Sequence, residues 1–149
     1  MVDSRAKGQR GEYLVRDTLR KYSNLTFERV PCSGALSYIK GDLFIPNEDC
    51  DFLIEVKNYE ESPLTDKIFT NKSNYILAWW AKAVEQASLR DQKPLVIFKY
   101  NRSKLFVLTD IPPINTESHM YIKWLNCYVL LLEEWLQKEE ITWLRNSRN

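Results

Sequence analysis

Hydrophobic positions along the chain switch between helical and strand spacing. Glu12, Val15, Leu19 and Tyr22 share one helical stripe, and Asp3 or Ser4 can cap a helix running to about residue 22. Residues 26–30 predict a short strand, and residues 31–40 a loop containing Ser33-Gly34. Residues 41–45 and 51–57 predict two strands around the turn Pro46-Asn47-Glu48-Asp49. Residues 59–74 form a long polar connection, expected to be the most mobile part of the chain. Trp79, Trp80, Ala83, Val84 and Ala87 give residues 75–90 an apolar helical face that Lys93-Pro94 brings to an end. Residues 95–99 and 105–109 read as a hairpin around Asn101-Arg102-Ser103. Beyond Pro112-Pro113, residues 119–125 predict a short helix, residues 127–132 fit strand or helix, and residues 133–145 predict a helix. Helices interleaved with strands predict an α/β domain, a mixed central β-sheet flanked by α-helices.

Composition narrows the class. A chain of 149 residues suits one domain, residues 1–149, with a core over about 4–109 and a C-terminal extension over about 110–149. With 44% hydrophobic and 28% charged residues it is neither a disordered tail nor a membrane protein. No apolar run approaches the roughly 18 residues of a membrane span, and the first ten residues lack the apolar core of a secretion signal. Cys32, Cys50 and Cys127 have no metal-ligand spacing and suit reduced thiols, so a cytoplasmic setting is expected. Net charge is only +1, but its distribution is uneven. Residues 41–66 carry eight acids and one base, between stretches of net +4 over residues 1–40 and +6 over residues 67–108. That pattern suits a cation site inside a phosphate-binding surface, or else an acidic loop solvated by chance.

The acidic block can be folded on paper. Along a strand side chains alternate faces, so Glu55 and Lys57 point one way while Phe52, Ile54 and Val56 point the other. Putting Leu43 and Ile45 on that same apolar face sets Ile45 opposite Phe52 and therefore Asp42 opposite Glu55. A slip of one residue buries an unpaired carboxylate at a cost of several kcal/mol. Two facing carboxylates repel unless a cation intervenes, and a hard divalent ion with oxygen ligands serves, with the Val56 carbonyl as a further ligand. Lys57 could then hold or polarise an attacking water. A structural ion pair of Lys57 with Asp42 or Glu55 is the plainer alternative. Glu12 leans toward the core on its helix, where pairing with Arg16 is the alternative role. Nearby Gly8 and Gly11 each cost roughly 1 kcal/mol against alanine, a loss that makes sense if another backbone approaches closely.

Lys7, Arg10, Arg29 and Lys40 are candidate phosphate contacts at the entrance, against ordinary solvated charge. Lys82, Gln86 and Arg90 recur every fourth residue, giving a DNA-facing stripe or a plain solvated face. Most of the five tryptophans read as core, and Trp124 could serve a subunit interface. His119 is the only histidine, which excludes a histidine-centred or zinc nuclease, and no glycine-rich phosphate loop suggests a nucleotide-driven motor.

Taken in order, Gly8 and Gly11-Glu12, Ser33-Gly34, Gly41-Asp42 and Glu55-Val56-Lys57, with twelve residues between Asp42 and Glu55, resemble the PD-(D/E)xK nuclease superfamily. Within it the sequence is most similar to archaeal-type Holliday junction resolvases and their phage relatives, over about residues 5–109. The resemblance implies a restriction-endonuclease-like core. It implies Asp42 and Glu55 as metal-binding carboxylates, Lys57 as the catalytic lysine and Glu12 as the helical glutamate. Ser33 matches a loop serine near the cleaved phosphate, and Gln86 a glutamine that related nucleases place facing the site. Gly41 stands where the family name has proline.

The expected function is a magnesium-dependent endodeoxyribonuclease, with manganese able to substitute, acting on branched DNA such as four-way junctions. Glu12, Asp42, Glu55 and the Val56 carbonyl would hold the metal, and Lys57 would assist the water. Ser33 and Gln86 would position phosphate or water. Two symmetric cuts call for a homodimer, for which residues 124–136 are the candidate interface. A bacterial or archaeal cell, with a phage gene as one source, is the expected setting. The rivals are another nuclease of the superfamily, of restriction, repair or exonuclease type, and a non-catalytic DNA-binding module of the same fold.

Overall fold

The computed structural model describes residues 3–31, 40–70 and 74–145. The first helical stripe forms α1 (Ser4–Ser23), and its buried face is Gly11, Val15 and Leu19. Asp3 caps it by accepting from the backbone N–H groups of Arg5 and Ala6, and Asn24 ends it in the left-handed region at φ 60°. The second forms α2 (Tyr75–Ser88), capped by Asn74 accepting from Ile76 N–H at 2.7 Å. It stops two residues before the expected end.

Seven strands build one mixed sheet: β1 (Glu28–Arg29), β2 (Leu43–Phe44), β3 (Phe52–Tyr59), β4 (Lys93–Tyr100), β5 (Phe106–Thr109), β6 (Met120–Ile122) and β7 (Cys127–Leu131), in the spatial order β1-β2-β3-β4-β5-β7-β6. β3 and β4 run parallel, joined through α2, and the remaining neighbours are antiparallel. α1 and α3 (Leu132–Lys138) cover one face, where Val15, Leu19, Leu43, Ile54, Ile97 and Trp135 form a continuous core. α2 covers the other, with Ile76, Trp79, Trp80 and Ala83 on Val96, Phe98 and Leu108. Burying each such large apolar side chain contributes roughly 1.5–3 kcal/mol, so the central strands are committed on both faces. This is the α/β architecture expected from the pattern.

Three expectations change. Residues 119–125 were expected to be helical, but Met120–Ile122 is strand β6, followed by a 3-10 turn over Lys123–Leu125. Pairing with β7 decides it, as Tyr121 stacks on Tyr128 at 4.4 Å. The last helix ends at Lys138 rather than 145, and Glu139 is extended. Glu139 instead accepts hydrogen bonds from Ile114, Asn115 and Thr116, and the chain runs on so that Trp143 wedges between Phe27 and Phe52, 5.1 Å from each ring. The connection after β3 is less loose than expected, because a 3-10 helix at Asp66–Thr70 anchors Ile68 in the α2-side core. The ambiguous stretch 127–132 resolves as strand β7 running into the first residue of α3.

Candidate active site

The register derived from burial alone is the one found. Leu43 pairs with Ile54, so one step back Asp42 lies across from Glu55. Asp42 is tied down twice: its N–H donates to the Ile54 carbonyl, and its Oδ2 accepts from the Val56 N–H, both at 2.7 Å. In a strand the N–H and C=O of one residue face the same edge, so the Val56 carbonyl also faces the Asp42 side. Gly41 makes this possible. It has φ +86°, and a Cβ there would stand 2.8 Å from the Ile54 carbonyl oxygen, so no side chain fits at the point where β2 meets β3.

Electrostatics mark the pair. Burial raises the Glu55 carboxyl from its ordinary 4.5 to about 7, helped by the charge of Asp42 and a hydrogen bond between the two side chains. Lys57 and Lys82 act in the opposite sense and do not cancel it. Burial and the facing acid together therefore disfavour the ionised form of Glu55 at this point of the sheet. Lys57, half-buried, lies on the same strand face and lines an adjoining cavity of about 560 Å³.

Glu12 arrives by a different route. A Cβ on Gly11 would come within 2.8 Å of the Asn58 Cβ, so the glycine lets α1 settle directly on β3. Glu12 feels the charges of both Asp42 and Lys57, and burial raises its carboxyl. Its direct partner, however, is Arg29, whose Nε donates to Oε1 at 3.0 Å. Among the described residues no three His, Cys, Asp or Glu side chains converge closely enough to share one ion. Of the three expected carboxylate ligands, Asp42 and Glu55 face each other, while Glu12 lies beside them engaged by Arg29. Two carboxylates and a carbonyl still suit a hard divalent cation, which keeps several waters. Arg29 is likewise not a free phosphate contact, since it is clamped between Glu12 and Tyr13, with its guanidinium 4.6 Å from the Tyr13 ring centre.

The remaining expected residues disperse. Ser33 lies outside the described residues. Lys82 on α2 is close enough to act on Glu55, and half-buried Gln86 follows one turn later. Lys7 donates to Asn101 Oδ1 at 2.5 Å and lines the same cavity as Lys57. Arg10 is exposed on α1. Lys40 and Arg90 line a second cavity with Arg145, Glu48 and Asp49, at the opposite end of β3 from Lys57. The stripe Lys82-Gln86-Arg90 thus runs along α2 away from the carboxylates. Asn58 was overlooked. It receives Gly11 and donates to the Lys7 carbonyl at 3.0 Å, and its signal was a polar residue on the apolar parity of β3.

Comparison with known proteins bears on this geometry. A family model described as "Phage putative PDDEXK endonuclease" matches residues 3–142. Protein D14 of Escherichia phage T5 is 31% identical over 153 residues, covering 94% of this chain and 96% of that protein. Among solved structures, Archaeoglobus fulgidus Hjc, described as a Holliday junction resolvase from an archaeal hyperthermophile, aligns at 18% identity with a TM-score of 0.46, over 89% of this chain and 95% of that one. No described helix is long and apolar enough to cross a membrane. The family match and the phage T5 relative place the chain plainly: it belongs to the phage PDDEXK endonuclease family.

Proposed function

We propose that this member of the endonuclease family hydrolyses phosphodiester bonds of branched DNA, four-way junctions foremost, as a magnesium-dependent homodimer in the cytoplasm. The observation that carries the catalytic part is the convergence of Asp42 and Glu55 beside Lys57, two acids facing each other in a partly buried position. Asp42, Glu55 and the Val56 carbonyl would hold the divalent cation, manganese serving in place of magnesium. When bound, that cation supplies Lewis-acid stabilisation of the charge that grows on the phosphate oxygens.

The chain's own residues do the rest. Asp42 is kept in place by the Val56 N–H, so it need not reorganise during the reaction. Lys57 offers an ammonium that hydrogen-bonds the attacking water or a phosphate oxygen. Glu12, held by Arg29, adds negative charge next to Asp42 and fixes α1 against the site. Ser33 and Gln86 position phosphate or water, and Lys7, Arg10, Lys40, Lys82 and Arg90 meet the DNA backbone. The preference for junctions rests on the motif order from Gly8 to Lys57, and the dimer on the symmetry of two paired cuts. The buried, unpaired thiols of Cys50 and Cys127 accord with a reducing cytoplasm.

The test is cleavage of a labelled four-way junction and a linear duplex, with magnesium or EDTA and with Lys57→Ala as control. Paired symmetric nicks confined to the junction, abolished by EDTA and by Lys57→Ala, are expected. Equal cutting of both substrates identifies a nuclease without junction preference. No cleavage by wild type, with DNA binding left unchanged by Asp42→Asn, identifies a binding module without catalysis.

A further inference from the structure

Gly8 is left unexplained by the packing that accounts for Gly11. A Cβ at Gly8 would meet nothing within 4 Å, yet a glycine inside a helix weakens it. What its bare backbone does is widen the cavity beside Lys57, whose lining also includes Lys7, Tyr59 and Tyr75. The walls differ in chemistry. One carries two ammonium groups and open backbone. The other is aromatic and rigid: the Tyr75 ring stacks on Trp79 with planes 14° apart and centres 5.7 Å apart, and Tyr59 meets it edge-on at 5.0 Å. Trp79 is buried, whereas Tyr75 is 55% exposed, so the stack has a fixed back and an open front. Glu60 and Glu61 on the rim disfavour a free anion there, but carboxylates accept hydrogen bonds from exocyclic base amines.

We propose that this cavity seats one unstacked nucleotide of the DNA strand next to the scissile bond, its base on Tyr75 and its phosphate between Lys7 and Lys57 over Gly8. A sequence-tolerant aromatic platform beside cations is how unpaired strands are held. A branch point or gap offers such a nucleotide without the cost of unstacking a continuous duplex, so Tyr75 selects DNA with local single-strandedness. The identity of the ligand rests on the nuclease reading above, but the platform uses residues outside the carboxylate pair.

The experiment uses the full chain in EDTA at low salt, with DNA carrying 2-aminopurine either at an unpaired position or within a continuous duplex. Wild type should quench the unpaired probe on binding and leave the duplex probe unchanged. Tyr75→Leu should lose the quenching and bind about tenfold more weakly, while Tyr75→Phe keeps both. Gly8→Leu should weaken binding by about tenfold at an unchanged or raised melting temperature, since nothing in the fold opposes the side chain. In EDTA Asp42→Asn should keep the quenching, and in a parallel assay with magnesium it should abolish the cleavage that wild type shows. Normal quenching and affinity in Tyr75→Leu and Gly8→Leu would overturn the platform while leaving the nuclease reading intact, as would equal quenching of the duplex probe. No cleavage of either DNA by wild type in magnesium, with the Tyr75-dependent quenching retained, would instead remove the nuclease reading and leave the platform standing.

Discussion

Asp51 and Glu55 stand four residues apart on the same stretch of chain, and both are withdrawn from water, yet their charges are met in different ways. Asp51, just before β3, is fully buried and lies 3.5 Å from Lys93 Nζ and 3.8 Å from Arg145 Nε. The C-terminal chain closes over it, with Asp51 N–H donating to the Trp143 carbonyl and Arg145 N–H to the Asp49 carbonyl. Glu55 faces another acid, and the nearby Lys57 and Lys82 do not offset burial and repulsion. One buried acid is neutralised within the protein and locks the fold. The other is held toward its protonated form by burial and a facing acid, and a cation from solution would compete with that proton.

The comparison can be broken by exchanging the two acids for neutral isosteres. Glu55→Gln should lower cleavage by about a thousandfold while leaving the melting temperature of the metal-free protein equal or higher, because the repulsion with Asp42 is relieved. Single-turnover cleavage together with thermal unfolding in EDTA checks both halves, and a large loss of stability would place Glu55 with the structural acids. Asp51→Asn should do the reverse. It removes the buried charge that Lys93 and Arg145 close over and should cost about 1–3 kcal/mol in denaturant unfolding, with activity per folded molecule retained.

A pH series sharpens the contrast. With its folded carboxyl raised to about 7, Glu55 binds a proton more tightly in the native state than in the unfolded one. Stability of the metal-free protein, relative to Glu55→Gln, should therefore fall as pH rises from about 4.5 to 7 and level off above. A cation competes with that proton, so magnesium affinity should climb up to about tenfold per pH unit over the upper part of that range and then flatten. Calorimetric titration at several pH values reads this directly, and a pH-independent affinity would contradict it. The smallest effect is expected at Gly41→Ala. The residue sits at φ +86° against the Ile54 carbonyl, so the substitution should cost about 1–2 kcal/mol and disturb Asp42 along with it.

Much of the site was legible because it obeys a short-range rule. Alternation along β3 and the need to bury Leu43 and Ile45 leave one register, and that register brings Asp42 to Glu55. Glu12 was placed on the correct side of α1, but its partner was not legible. Arg29 is seventeen residues away on a two-residue strand, and no local pattern announces that β1 reaches across to α1. Gly8 and Gly11 looked equivalent in sequence, and only contact distances separate a glycine needed for packing from one that leaves space. The C-terminal third misled for a related reason. Helical spacing continues past Lys138, but Trp143 gains more by filling the gap between Phe27 and Phe52 than by extending an exposed helix.

By itself the sequence determined the helix and strand periods and the pairing that juxtaposes two carboxylates, because each depends on spacing along a few neighbouring residues, and its ordered motifs carried the resemblance to a nuclease family. The tertiary structure alone decided which charges are answered and which are not. Arg29 engages Glu12, Lys93 and Arg145 close over Asp51, and Glu55 faces Asp42 with its ionised form disfavoured. Charge balance depends on distances between segments far apart in the chain, and those distances exist only once the sheet and its helices have packed.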